Sequence, residues 1–385
     1  MSLRICHLPT LAGQLVGALA AAFTLALGLA APAGAQGSGE IVIGQSGALT
    51  GQLDEIGKEM KAGAEAYFNV INQGGGIGGR KIKFVSLDDA GDPAKATANT
   101  QKLITEENAL ALFGYSGEHT IKAMLPLVDK NKIVFFGAAS GDTNLRDTTS
   151  RYIFNTRASY VDETERLVDQ YVRRGIKKIA LFYQNDPYGR AGLAGVDRAM
   201  RERMLTIHIF GSVDRHSLNV ASAAQSIGKS GAQAVVIAAG AKTAAAFIKE
   251  MKKQGSDAQF AVLSAAGAKT LASTLGDEGR GVAVSQIVPL PTAEGEPLGR
   301  EYVKNIGGVA NASFASLEGY IAAKILVEGI KKAGRNLTRE SLVESLEKLG
   351  PVDLQGFKVK FGPGLHNGSS LVELTVIGSQ GLYRR

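Results

Sequence analysis

Apolar and polar positions along the chain switch between two periods. From Glu40 onward, short apolar runs alternate with longer stretches in which apolar residues return every three or four positions. The first run, residues 41–43, reads as a strand. Residues 54–73 then read as a helix, with Ile56, Met60, Ala64, Tyr67 and Ile71 on one face. A strand over 81–87 and a helix over 94–107 follow, and two apolar strands end at Phe113 and Phe136. After Tyr152-Ile153-Phe154 the alternation restarts. It predicts helices over 162–174, 189–204, 220–230 and 243–254, interleaved with strands over 179–183, 206–210, 234–238 and 260–263. Helices over 315–333 and 338–348 and strands over 358–361 and 371–376 close the chain. Strand–helix alternation at this spacing implies right-handed crossovers and mainly parallel sheets covered on both faces. Two such runs exceed one sheet of ordinary width, so the expected class is α/β with two Rossmann-like lobes.

The two central strands end alike. Gly114-Tyr115-Ser116-Gly117 follows the first, and Gly137-Ala138-Ala139-Ser140-Gly141 follows the second. Small residues there let a solute approach the backbone beyond the carboxyl ends of parallel strands, where ligands of open α/β sheets bind. The competing reading is two ordinary strand-to-helix turns that need Gly and Ser for geometry alone.

Composition changes the picture at the N-terminus. Residues 1–35 carry Arg4, then an apolar stretch, then Ala33-Gly34-Ala35, the small-x-small pattern of a signal peptidase site. Cleavage after Ala35 and export are expected, with a membrane anchor as the rival reading. Removing 35 of the 385 residues leaves 350, and losing Arg4 takes the net charge from +7 to +6. The only cysteine, Cys6, leaves with the leader, so the mature chain has no disulfide, thiol nucleophile or cysteine metal ligand. Basic residues are spread out or paired, as at Lys252-Lys253 and Lys331-Lys332, and Trp is absent, which argues against nucleic acid.

Several chemistries drop out. Gly74-Gly75-Gly76-Ile77-Gly78-Gly79 satisfies G-x-G-x-x-G, but it follows a helix and precedes a strand, so no helix N-terminus faces a pyrophosphate. The five histidines never fall at H-x-x-x-H spacing, and neither a Walker sequence nor a G-x-S-x-G elbow occurs. Asp88, Asp89 and Asp92 read as a strand-to-helix turn in which Asp92 caps and Pro93 opens a helix, with cation binding the alternative. No cofactor, metal or enzyme signature remains.

The residues also carry a family resemblance. Ile43-Gly44 with Leu49-Thr50-Gly51, Ile71-Asn72 with the glycine run, Asp88-Asp89 with Asp92-Pro93, Phe154-Asn155-Thr156-Arg157 and Asp186-Pro187-Tyr188-Gly189 occur in an order that resembles the branched-chain amino-acid (leucine/isoleucine/valine) binding family. These are exported solute-binding proteins of ABC importers with the type I periplasmic fold. The resemblance implies a periplasmic protein that traps a small-molecule solute between two lobes joined by three crossovers and delivers it to ABC permease subunits in the inner membrane. It implies lobe 1 from residues 39–159 and 288–366, and lobe 2 from 160–287 and 367–385. It assigns solute contacts to positions matching Glu118, Ala138, Ser140 and Tyr188. Tyr115, Ser116, Tyr160, His119 and Arg157 are further cleft candidates. The acid that pairs with the ammonium in amino-acid binders corresponds to Ser264, or to Ala266, and two aromatic positions correspond to Ile56 and Ala241. These departures point to an amino-acid-like or carboxylate solute other than leucine. A sensor subunit using the same fold and a hydrolase built on Ser116 or Ser140 are the rival functions.

Overall fold

The computed structural model describes residues 39–51, 54–215, 217–293 and 295–384. The expected leader and cleavage site, Cys6 and His216 lie outside the described residues.

Five parallel strands form the first sheet: β1 (Ile41–Gly47), β2 (Ile82–Asp88), β3 (Ala111–Phe113), β4 (Val134–Phe136) and β5 (Ile153–Phe154), in the order β2-β1-β3-β4-β5. Helices α1 (Asp54–Gln73), α2 (Pro93–Thr105) and α3 (Glu118–Lys130) connect them. The chain then crosses to a second sheet through α4 (Tyr160–Arg173), β6 (Ile179–Gln184), α5 (Pro187–Arg201), β7 (Phe210–Val213), α6 (Ala221–Lys229), β8 (Ala234–Ala238), α7 (Ala241–Lys253), β9 (Gln259–Val262), α8 (Ala268–Leu275) and β10 (Ala283–Gln286). It returns to the first lobe as α9 (Pro297–Asn305), α10 (Phe314–Ala333), α11 (Arg339–Glu347) and the ribbon β11 (Gly350–Asp353) with β12 (Lys358–Phe361). It crosses a third time to add β13 (Glu373–Ile377) and β14 (Tyr383–Arg384), giving the order β14-β13-β10-β9-β8-β6-β7. Only the β10–β13 and β13–β14 pairings of that sheet are antiparallel.

Each sheet buries apolar residues on both faces, as parallel sheets require. On one face of the first sheet, Phe113, Phe136 and Phe154 pack with α1, α10 and α11; on the other, Leu112 and Phe135 pack with α2 and α3. The α1–α10 contact is unusually close. A Cβ on Gly63 would sit 1.8 Å from the Ser316 carbonyl oxygen, and one on Gly319 would sit 2.3 Å from that of Met60, so the two backbones touch only because both positions lack side chains. This fixes the N-terminus of α1 at the edge of the groove between the lobes.

One expectation needs correction, and one strand was missed. The strand expected over 206–210 lies at Phe210–Val213. Ile207 and Ile209 alternate like strand residues because they pack beside the sheet, but the paired register with β6 begins at Phe210. Strand β10 escaped the apolar pattern because Ser285 and Gln286 are buried polar residues, bonded to Glu163 and Thr375. The turn at Asp92 agrees with its reading: its side chain accepts from the Lys95 N–H and Pro93 opens α2.

Candidate functional site

The ends of β3 and β4 continue side by side into the groove between the lobes. The Ala139 N–H donates to the Tyr115 carbonyl at 2.8 Å, and Ser116 pairs with Ala139 as a parallel bridge. This extension aims Ser116, Gly117 and Ala139 at a cavity of about 360 Å³. Glu118 and His119, the first residues of α3, join them from lobe 1, as do Ile56 and Glu55 from the start of α1. Lobe 2 contributes Tyr188, Asp186, Arg215 and Ala241, all just beyond the carboxyl ends of β6, β7 and β8.

The polar groups of this cavity divide into occupied and unoccupied ones. The Tyr160 hydroxyl donates to Glu118 Oε1 at 2.5 Å. Burial pushes the Glu118 carboxyl above the usual range, and the Tyr160 bond opposes the shift only in part. Asp186 caps α5 by accepting from the Gly189 N–H at 2.9 Å, and its other oxygen accepts from Gln184 Nε2 at 2.6 Å. By contrast, the buried Ser116 Oγ, the Tyr188 hydroxyl and Arg215 Nε have no hydrogen-bond partner among the described residues. Buried polar atoms are almost always satisfied. Three unsatisfied ones on residues that line a single cavity make it the candidate site for a polar solute.

The raised Glu118 carboxyl sets a pH dependence. The folded state holds this proton above the pH at which the unfolded chain releases it, so wild-type stability falls as pH rises from the ordinary carboxylate range through the folded value. Glu118→Gln keeps an acceptor for Tyr160 and removes the titration. It is expected to gain stability relative to wild type as pH rises, by about 1 kcal/mol or less. Urea unfolding at acidic and neutral pH measures this difference.

The other expected contacts are distributed differently. Ala138 packs with Leu103 and Tyr115 in the apolar cluster behind the wall, and Ala139 takes the lining position. Ser140 is fully buried; its Oγ accepts from the Asp142 N–H and its carbonyl accepts from the Arg146 guanidinium, so it braces the loop rather than facing the cavity. Tyr115 is also fully buried, with its hydroxyl against Thr100 Oγ1 at 3.1 Å. Tyr160 lies beneath the cavity, its ring 5.2 Å from that of Tyr188, and acts through Glu118.

Ser264 and Arg157 belong to a second cavity, of about 690 Å³, on the other side of Glu55. It is larger, but most of its lining is apolar and its inner polar groups bond one another. Arg157 donates to Glu163 at 3.0 Å, to Glu318 at 3.3 Å and to Ser264 Oγ at 2.6 Å. Glu163 in turn accepts from the Ser264 N–H and from Ser285. The smaller cavity is therefore the candidate site. Sequence reasoning missed Arg215 and Glu55. With β7 placed four residues early, Arg215 did not fall at a strand end, and Glu55 looked like an ordinary first-turn acid.

The chain matches the family described as periplasmic binding protein over residues 40–381. Among curated relatives, it is 28% identical over 248 residues to an amino acid binding protein of Pseudomonas aeruginosa, covering 63% of this chain and 64% of that protein. It is 28% identical over 183 residues to Leu/Ile/Val-binding protein homolog 3 of Brucella melitensis, covering 46% of this chain and 47% of that protein. The match thus spans less than two thirds of the length of either relative. Among solved structures, a substrate-binding periplasmic protein from Ralstonia solanacearum superposes with a TM-score of 0.83 at 30% identity, covering 89% of this chain and 99% of the other. The two sheets, three crossovers and interlobe cavity are the architecture of that group: the chain belongs to the periplasmic binding protein family, among the relatives of the leucine/isoleucine/valine-binding proteins, with the type I fold.

Proposed function

We propose that this chain is the extracytoplasmic solute-binding subunit of an ABC importer, capturing a small amino-acid-like or carboxylate solute between its lobes for delivery to a membrane permease. The observation that carries the reading is that Ser116 Oγ, the Tyr188 hydroxyl and Arg215 Nε, all without partners among the described residues, belong to residues lining one interlobe cavity. The names of the relatives, amino acid binding protein and Leu/Ile/Val-binding protein homolog 3, support the solute class. Periplasmic residence follows from the family and from the leader-like N-terminus. Capture needs no chemistry: solute favours the closed form by the contacts it makes with the second lobe.

The reading is tested by calorimetric titration of residues 36–385 with amino acids and organic acids. One solute per chain and a dissociation constant near micromolar are expected; binding to none of them sinks it. The Tyr188 hydroxyl provides an internal check. Tyr188→Phe removes a hydroxyl that bonds nothing among the described residues, so stability is expected to stay within about 0.5 kcal/mol or rise slightly. Solute affinity is expected to fall several-fold, roughly one hydrogen bond's worth. Equal affinity for wild type and variant places the solute away from Tyr188.

A further inference from the structure

The acids and the principal cation of the cavity are not in the same state. Four carboxylates line it, and each is already engaged. Asp54 pairs with Lys58 at 2.6 Å, Glu55 accepts from the Lys269 and Thr270 N–H groups, Glu118 accepts from Tyr160, and Asp186 accepts from Gln184 and Gly189. Among the described residues each of these acids thus has at least one protein donor already. Arg215 stands just beyond β7 with its side chain 19% exposed. Among the described residues its single ion pair is a loose 3.7 Å approach to Asp186 Oδ2, an oxygen already held by Gln184, and its Nε is buried without a partner. A guanidinium is a planar fork of donors matched to a carboxylate, so leaving it half-used in a cavity wall is costly unless an anion completes it. Burial, reinforced by the charge of Arg215, holds His119 below its ordinary value, so His119 supplies no competing positive charge at neutral pH. Leu218, 57% exposed on the same connection, adds an apolar contact at the mouth.

We propose that Arg215 anchors an anionic group of the carboxylate class on the solute, and that the solute needs no ammonium. Ser116 and Tyr188 take its remaining polar atoms. This rests on the capture function proposed above and names its substrate class. It also makes a lobe 2 cation the specificity-determining residue, in a cavity where Ser264 has turned away into the hinge network.

The test is a calorimetric titration of residues 36–385, as wild type, Arg215→Gln and Arg215→Lys, with six probes in two isosteric sets: isocaproate, isocaproamide and leucine, then hydrocinnamate, hydrocinnamamide and phenylalanine. Within each set the acid is expected to bind wild type most tightly. Arg215→Gln is expected to weaken the acid about tenfold while leaving the amide unchanged, and Arg215→Lys to recover part of the loss. If leucine or phenylalanine binds more tightly than its matched acid, or if Arg215→Gln binds the acids as wild type does, the inference fails while capture stands. Silence of wild type across all six, with thermal unfolding still cooperative, overturns both.

Discussion

Arg157→Ala is expected to cost about 3–5 kcal/mol of folding stability, the usual consequence of breaking a buried ion pair from one side. Arg157 is only 3% exposed and lies on the first crossover between the lobes. Its guanidinium reaches Glu318 on α10 of lobe 1, and Glu163 on α4 and Ser264 beyond β9 in lobe 2. Burial alone would lower its pKa, but the charges of Glu318 and Glu163 outweigh that and keep it protonated. The substitution therefore strands two buried carboxylates. Glu318 is already held above the ordinary carboxylate range by burial, with Arg157 opposing the shift, so removing Arg157 raises it further. An acid whose folded pKa is raised binds more protons in the folded state, so the deficit is expected to shrink as pH falls from about 7 to about 5. Adding Glu318→Gln should recover part of the loss at neutral pH, since one stranded charge is gone. Urea unfolding of the two variants and wild type at both pH values measures this. A deficit below about 1 kcal/mol, or one indifferent to pH, means that water reaches the network and screens it.

That network also shows where sequence reading stops. The fold was legible because parallel strands buried on both faces give runs such as Ala234–Ala238, and because amphipathic helices such as α1 repeat at helical spacing. Strand ends were legible too, since Gly114 and Gly137 break the apolar runs at the edge of the cavity. Part of what lay hidden depends on residues more than a hundred positions apart. Nothing local in Ser264 announces that its N–H and hydroxyl serve Glu163, 101 residues upstream. Ser140 was a sound candidate by position, and only Asp142 and Arg146 folding back onto it show that its groups are occupied. Arg215 was obscured by a strand register that alternation alone could not fix, because Ile207 and Ile209 mimic the period of the strand they precede.

Glu55→Ala is expected to weaken solute binding by up to about fivefold, through closure rather than contact. Helix α8 has no capping side chain of its own: Gly267 precedes it at φ +96° and carries none. The missing acceptor comes from the other lobe. Glu55, on the first turn of α1, accepts from the Lys269 N–H at 3.0 Å and the Thr270 N–H at 2.9 Å. A Cβ on Gly267 would sit 2.9 Å from Glu55 Oε2, so glycine is what allows the approach. Burial holds the Glu55 carboxyl above its ordinary range and the two N–H bonds offset that cost only in part, so the contact with the positive end of the helix contributes about 1 kcal/mol here. Because the two groups sit on different lobes, that energy exists only while the lobes are together, and it biases the open–closed equilibrium by the same amount. Apparent affinity scales with the closed population, so about 1 kcal/mol becomes up to about fivefold, the full factor being reached where the closed form is the minor one. Glu55→Gln keeps one acceptor oxygen and loses the charge, so it should fall between. Titration with whichever probe binds wild type measures the affinities, and small-angle scattering without solute reads the mean lobe separation, which should increase in the order wild type, Gln, Ala. A drop well beyond fivefold means that Glu55 also touches the solute; if neither affinity nor scattering moves, water replaces the carboxylate at the α8 N-terminus without loss.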